Sequence, residues 1–284
     1  MSEMNDVRTS RREFLVGAGA AATAATLALA GFANAKELDT AKKVWAKGEL
    51  LPTNKSLIPP LAPQWESLDL ARLLSYPTMF VSISQNNSLY SPEGGQGGER
   101  QWERGSLEAT IKVANACREA NFPFHWIGYD IFLVHNDYPM TEMDRAQYAS
   151  WTATYQDWSA EKIKWDGELP PELKKLVRPG DLEYFEIAHQ SSFIGTPLRV
   201  NLAKRGIKTI VFVGIHLDWC IEGNARAARD EGYMPIVVGD ACACQKQEQE
   251  PATFERINNF FAPVIDSDRF LELMAKAKTY RKKA

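Results

Sequence analysis

The stretch that decides the fold is IKTIVFVGI, residues 207–215, followed by HLDWC, residues 216–220. The first nine residues are almost continuously apolar, which predicts a strand buried on both faces, as the strands of parallel sheets are. A tight turn at 216–218 leads into a predicted helix that begins at Trp219 or Cys220 and ends at Glu231. A buried strand, a short turn and a helix form the repeating unit of an α/β protein.

The same unit recurs on both sides of this stretch. Alternating strands and helices predict a mostly parallel sheet covered on both faces, which is a three-layer α/β/α domain. The remaining predicted strands are 78–84, 124–131, 182–187, 234–238 and a short one near Val264, and the remaining helices are 106–120, 196–205, 253–261 and 267–278.

The long connection at 132–177 interrupts this rhythm. Its aromatic residues Tyr148, Trp151, Tyr155 and Trp158 recur at the spacing of one helix face. We expect this stripe to pack against the domain or against a second subunit, which makes a homo-oligomer possible.

The first 35 residues predict an export signal outside the fold. Arg11 and Arg12 precede an Ala-rich apolar run at 16–30, and small residues at 33–35 follow as a cleavage site. The paired arginines resemble the twin-arginine signal. We therefore expect the twin-arginine export machinery as a partner and the periplasm as the location, with an N-terminal membrane anchor as the alternative.

Three segments follow from this pattern: a signal peptide at 1–35, a Pro-rich N-terminal arm at 36–77 and the α/β domain at 78–284. The chain has 33 basic and 36 acidic residues and a formal net charge of −3. Because there is no basic stripe, we expect no nucleic-acid partner. The glycine-rich segment 94–98 lacks the spacing of a nucleotide-binding loop, so it predicts no cofactor.

Cys220 is the residue best suited to nucleophilic chemistry. It follows the carboxyl end of the best strand, where ligands of α/β sheets collect. At the first turn of a helix, unpaired N–H groups and the helix dipole predict a lowered thiol pKa, with Asp218 as the N-cap. The alternative is a small buried hydrophobe, which is what most free cysteines are.

The residues around Cys220 resemble the isochorismatase-like cysteine hydrolases. This resemblance implies a small-molecule substrate, a thioester on Cys220 and hydrolysis of an amide C–N bond (in a few members, of a vinyl ether). We expect Asn86, His216 and Leu217 to contact the substrate, Asn86 because its amide can hydrogen-bond a substrate carbonyl. Relatives in the family often form dimers or tetramers. The matching segments are 179–182, 192–198, 206–207, 213–220, 225–228, 232–233 and 239–241, and more weakly Gln85-Asn86 with Pro92 and Gly94.

Two catalytic positions of that family are altered. Ile83 stands where the family has the aspartate that deprotonates the thiol, and no lysine lies between Lys175 and Lys204. His189 lies near the missing lysine's position, so we expect it to act as the base, with His216 as a second candidate.

Two further groups carry less weight. Asp130, His135 and Asp137 do not keep the spacing of the metal-binding relatives, so no metal is expected. Cys242 and Cys244 are expected to be structural loop cysteines, with a redox pair as the alternative and their disulfide state open. Three functions remain: an exported amide hydrolase, a binding protein that kept the fold and lost the triad, and a thiol redox or sensing protein that uses Cys220 or the pair Cys242 and Cys244.

Overall fold

The computed structural model describes residues 53–129, 141–187 and 189–282. Within these ranges six parallel strands form one sheet in the order β3-β2-β1-β4-β5-β6. The predicted three-layer α/β fold is thereby confirmed. The strands are β1 Thr78–Ile83, β2 Phe124–Tyr129, β3 Leu182–Ile187, β4 Thr209–Ile215, β5 Met234–Ala243 and β6 Val264–Ile265.

Helices connect the strands and cover both faces of the sheet. The α-helices are α1 Pro63–Glu66, α2 Leu70–Leu73, α3 Asn87–Tyr90, α4 Ser106–Glu119, α5 Glu142–Thr154, α6 Ala160–Gly167, α7 Pro171–Lys174, α8 Leu198–Lys204, α9 Glu222–Asp230, α10 Glu250–Phe260 and α11 Ser267–Arg281. Short 3₁₀ turns lie at Lys55–Leu57, Gly97–Glu99, Gln101–Glu103 and Gln247–Gln249, and a π turn at Leu217–Ile221.

The two faces of β1 belong to different layers of the core. Phe80 packs with α4 and α11, whereas Val81 and Ile83 pack with α8, α9 and α10. This division follows from the alternation of side chains along a strand. Cys220 belongs to the second cluster, so the sheet face that carries Ile83 is also the face that carries the predicted nucleophile.

Several element boundaries differ from the prediction. Helix α8 begins at Leu198, because Pro197 occupies its N-cap position. The segment after β1, predicted as a loop, contains α3. Strand β5 extends to Ala243, so Cys242 lies inside a buried strand and Cys244 directly follows it; the prediction of loop cysteines was wrong. Both are free thiols.

No helix within the described ranges has the length and apolarity that crossing a bilayer requires.

Strand β5 contains a bulge that the N-terminal segment stabilises. The pairing with β4 shifts between Phe212↔Val237 and Gly214↔Cys242, so residues 238–241 of β5 have no register partner on β4. The buried Asn54 amide donates hydrogen bonds to the carbonyls of Gly239, at 3.3 Å, and Cys242, at 2.8 Å. Because buried carbonyls need partners, Asn54 stabilises the path of the strand that leads to Cys244.

We expect Asn54→Ala to lower the free energy of unfolding by about 1–3 kcal/mol, because it removes the donor to two β5 carbonyls. Urea unfolding of the purified protein measures the change. The exposed Asn259 provides the control, since Asn259→Ala should change stability by no more than about 0.5 kcal/mol. Equal stability of the two variants would contradict this role of Asn54.

Candidate active site

The carboxyl ends of β1 and β4 meet at an unusually close backbone contact. Ile83 pairs with Gly214, whose φ is +131°. A Cβ atom at Gly214 would lie 2.1 Å from the Ile83 carbonyl oxygen, so only glycine fits there. This contact brings the residue after β1, Ser84, beside the turn that follows β4.

Cys220 lies in the π turn Leu217–Ile221 that joins β4 to α9. The Ile221 N–H donates to the His216 carbonyl at 3.0 Å, and the turn then continues into α9. Single π turns of this kind are frequent at functional sites. The Cys220 side chain is 6% exposed.

Asn224, on the first turn of α9, connects the Cys220 turn to the loop after β3. Its amide donates to the Cys220 carbonyl at 2.7 Å and to the Gln190 carbonyl at 3.2 Å. Its side-chain oxygen accepts the Ser192 N–H at 3.0 Å. These three hydrogen bonds hold the loop at Gln190 and Ser192, next to His189, against the start of α9.

The prediction of a lowered Cys220 pKa was wrong. Burial in the apolar cluster raises the pKa of the thiol to about 11, and the Asp218 carboxylate contributes in the same direction. The His216 backbone N–H and the Ser84 side chain lower this pKa, but by less. Desolvation outweighs the helix start because the thiol is enclosed rather than exposed at a helix end.

Asp218 does not cap the helix. It lies inside the π turn, and the N-cap residue of that turn is His216, which makes no side-chain capping bond. Among the described residues, Asp218 Oδ1 is a buried oxygen without a hydrogen-bond partner. The predicted capping role is therefore replaced by an electrostatic one, since this carboxylate helps raise the pKa of both Cys220 and Cys244.

His216 forms a buried pair with a residue that the sequence did not suggest. Its Nε2 lies 2.7 Å from Glu99 Oε2, and the Gln245 amide donates to the other Glu99 oxygen at 2.9 Å. The ring also meets the edge of Trp219, with centroids 5.7 Å apart. Glu99 directly follows the glycine-rich segment and is 117 residues away from His216 in the chain, so no local pattern could have predicted this pair.

A buried ion pair supports the other side of this network. Arg104 and Glu250, 1% and 0% exposed, pair with each other and enclose the backbone of Cys244. The Cys244 carbonyl accepts from Arg104 at 2.9 Å and from Gln101 at 3.0 Å, and the Cys244 N–H donates to Glu250 at 3.1 Å. The chain therefore leaves β5 in one orientation, which places Gln245 against Glu99.

The residues around the altered aspartate position lie next to Cys220. Ile83 is buried in the same apolar cluster as the thiol, so the site has no carboxylate at that position. Ser84 follows with φ of +52°, which turns its side chain out of the strand alternation. Gln85, by contrast, is structural: it binds Ser82, Tyr90 and Thr110.

The other predicted site residues occupy varied positions. Leu217 is fully buried in the Cys220 cluster. The Asn86 amide donates to the Gly167 carbonyl at 3.2 Å, so it joins the segment after β1 to the end of α6. The His189 ring approaches Gly195, where a Cβ would be 3.7 Å from its Cδ2 atom. His189 as the base stays a prediction.

The long connection packs against the glycine-rich segment through Tyr155. The Tyr155 hydroxyl donates to Asp166 at 2.6 Å, and the Gly95 N–H donates to the other Asp166 oxygen at 2.8 Å. A Cβ at Gly95 would lie 1.9 Å from the Tyr155 hydroxyl oxygen. This member of the aromatic stripe thus packs within its own chain. The side chains of Tyr148 and Trp151 lie outside the described part of the structure.

Asp130, His135 and Asp137 lie outside the described residues. Within the described ranges, no three His, Cys, Asp or Glu side chains converge in a metal-binding arrangement.

The sequence profile of the isochorismatase domain matches residues 78–269. This chain belongs to the isochorismatase family. The match begins at the first residue of β1 and continues into α11, so it includes all six strands and the Cys220 turn.

Individual relatives agree with this assignment. Nicotinamidase 3 of Arabidopsis thaliana is 32% identical over 166 residues, which cover 57% of this chain and 76% of that protein. The uncharacterized isochorismatase family protein YddQ of Bacillus subtilis is 30% identical over 112 residues, covering 36% of this chain and 62% of YddQ. The match thus spans less than two thirds of YddQ.

A solved structure supports the fold. The cysteine hydrolase from Pseudomonas syringae pv. phaseolicola superposes with a TM-score of 0.58 at 17% identity, covering 77% of this chain and 99% of that one. At this identity the similarity concerns the fold alone.

We expect Cys220 to alkylate slowly at neutral pH, because a thiol with a pKa of about 11 is almost entirely protonated there. At about pH 8 only about one thiol in a thousand is ionised, and the rate should rise about tenfold per pH unit. Iodoacetamide labelling followed by peptide mass spectrometry measures this rate, and Cys220→Ala identifies the peptide. If the labelling rate plotted against pH has its midpoint near that of a model thiol, burial does not raise the pKa of Cys220.

Proposed function

We propose that this protein is an exported cysteine hydrolase that cleaves a C–N bond of a small amide, with Cys220 as nucleophile. The observation that carries the proposal is the position of the thiol. Cys220 lies in the turn between β4 and α9, at the carboxyl edge of the sheet, where the Ser84 side chain and the His216 N–H both act on its sulfur. The similarity to a nicotinamidase supports an amide as substrate.

The proposed reaction has two steps. The Cys220 sulfur attacks the amide carbonyl and releases the amine, and water then hydrolyses the thioester. Backbone N–H groups at the start of the Leu217–Ile221 turn would stabilise the negative charge that develops on the carbonyl oxygen. Asn86, His216 and Leu217 remain our candidates for substrate contact, and His189 for the base.

A second candidate function is small-molecule binding without catalysis. Ile83 in place of the carboxylate and the raised pKa of Cys220 favour it, because both leave the thiol protonated. The π turn and the hydrogen bond of Asn224 to the Cys220 carbonyl favour catalysis, since they hold a nucleophile in place rather than fill a core.

We expect the protein to release ammonia from members of a panel of small primary amides and ureides, and Cys220→Ala to lower kcat by at least about 1,000-fold. A coupled ammonia assay on residues 36–284 measures this release. Cys117→Ala is the matched control, because Cys117 is a buried free thiol in the opposite core layer. Absence of turnover in the wild-type protein would favour the binding function, and calorimetry with the same panel would then measure affinity.

Export by the twin-arginine route predicts dependence on the arginine pair at 11 and 12. We expect Arg11→Lys with Arg12→Lys to retain the protein in the cytoplasm of a bacterium that has this route. Arg8→Lys, in the same leader, should leave the periplasmic fraction unchanged. Immunoblots of the two compartments measure the distribution, and normal export of the double variant would contradict the proposal.

A further inference from the structure

Ser84 has three properties that no structural role explains. It is one of the few non-glycine residues with positive φ, at +52°. The residue is 7% exposed, and among the described residues its hydroxyl oxygen has no partner with full hydrogen-bond geometry. A strained backbone and a buried hydroxyl without a well-aligned hydrogen bond both cost free energy, and such costs concentrate at functional sites.

The group that Ser84 acts on is the nucleophile. Its backbone N–H donates to the Ile127 carbonyl at 2.7 Å, which holds it at the end of β1. The close Ile83–Gly214 contact then sets it beside the end of β4. From there its side chain lowers the pKa of Cys220, whereas Ile83, at the family's carboxylate position, is apolar. Loose hydrogen bonds are common in active sites without substrate.

We propose that the Ser84 hydroxyl is a catalytic group that carries the Cys220 proton to the leaving nitrogen. This inference rests on the proposed amide hydrolysis and deepens it by assigning the proton transfer. The Cys220 S–H donates to Ser84 Oγ while the Ser84 O–H donates to the substrate nitrogen. The C–S bond forms and the C–N bond breaks. The amine leaves as a neutral molecule because its nitrogen has taken the proton from Ser84.

Hydrolysis of the thioester reverses the transfer. Water attacks the carbonyl carbon, one of its protons passes to Ser84, and the Ser84 proton returns to sulfur as the C–S bond breaks. Water and amide are thereby converted to acid and amine, and Ser84 makes the proton transfers for which His189 is the other candidate. The scheme starts from a protonated thiol, which is the state that burial favours for Cys220.

This proton transfer through Ser84 predicts which class of substrate the site accepts. The leaving nitrogen must accept a proton inside the site, which an amide or ureide nitrogen does as the C–N bond breaks. The vinyl ether of isochorismate offers no leaving nitrogen, so this chain should prefer amides.

Two variants distinguish the effect of the Ser84 hydroxyl from the effect of its strained backbone. Ser84→Ala keeps the Cβ and the strained φ, whereas Ser84→Gly removes the hydroxyl and relieves the strain. We expect both to lower kcat by at least about 100-fold, the usual contribution of a proton-transfer group. We expect Ser84→Gly to unfold at the same or higher urea concentration than the wild type.

Ser82→Ala is the matched control. Ser82 is a buried serine two residues away, and its hydroxyl donates to Gln85 at 2.7 Å within the other core layer. Ser82→Ala should lower the free energy of unfolding and leave kcat unchanged. If kcat falls in proportion to the free energy of unfolding in all three variants, the proposal is overturned.

The pH dependence gives a second readout. The wild-type kcat should stay constant through neutral and mildly alkaline pH, because the reaction starts from protonated Cys220 and the thiol stays protonated over this range. In Ser84→Ala the residual kcat should rise about tenfold per pH unit, because attack then depends on the thiolate. The same variant should slow iodoacetamide labelling of Cys220 several-fold at about pH 9, and this measurement needs no substrate.

The outcomes distinguish the two proposals. An active wild type with active Ser84 variants overturns the Ser84 role and leaves the hydrolase function standing, and loss of turnover in His189→Ala would then assign the base to His189. A wild type without turnover on the panel overturns both. Unchanged labelling of Cys220 in Ser84→Ala overturns the Ser84 role whatever the turnover.

Discussion

The contact between the Ile83 carbonyl and Gly214 is the constraint on which the site depends. It lets β1 and β4 approach more closely than any pair with a side chain at position 214 could. Ser84 directly follows Ile83, and the turn that carries Cys220 begins at Leu217, three residues after Gly214. Their proximity is therefore a consequence of strand register, which is set by the parallel pairing of β1 with β4 over six residue pairs.

A polar network joins the residues that follow β4 to those that follow β5. It runs from the Arg104–Glu250 pair through the backbone of Cys244 to Gln245, Glu99 and His216. A buried ion pair gains little stability over apolar side chains of similar volume, because desolvation cancels most of the attraction. We interpret the network as a means of orienting the chain after β5, which in turn orients the His216 ring next to the nucleophile turn.

The local patterns predicted the elements well. The apolar run at 207–215 predicted β4, and the helical spacing at 106–120 predicted α4, because each pattern reports burial of one segment. The end of β5 was predicted at 238 although the strand reaches Ala243. That extension depends on the bulge and on the hydrogen bonds from Asn54, about 185 residues away in the chain.

By itself, the sequence determined the α/β architecture and the position of Cys220 after the central strand, because periodicity and turn residues are local properties. It also showed that the family's aspartate is absent, since Ile83 occupies that position in the sequence. Only the tertiary structure decided the protonation of the thiol, the pairing of His216 with Glu99 and the direction of the Ser84 side chain. Each of these depends on burial or on partners distant in the chain, and desolvation is a property of the assembled core that no single segment encodes.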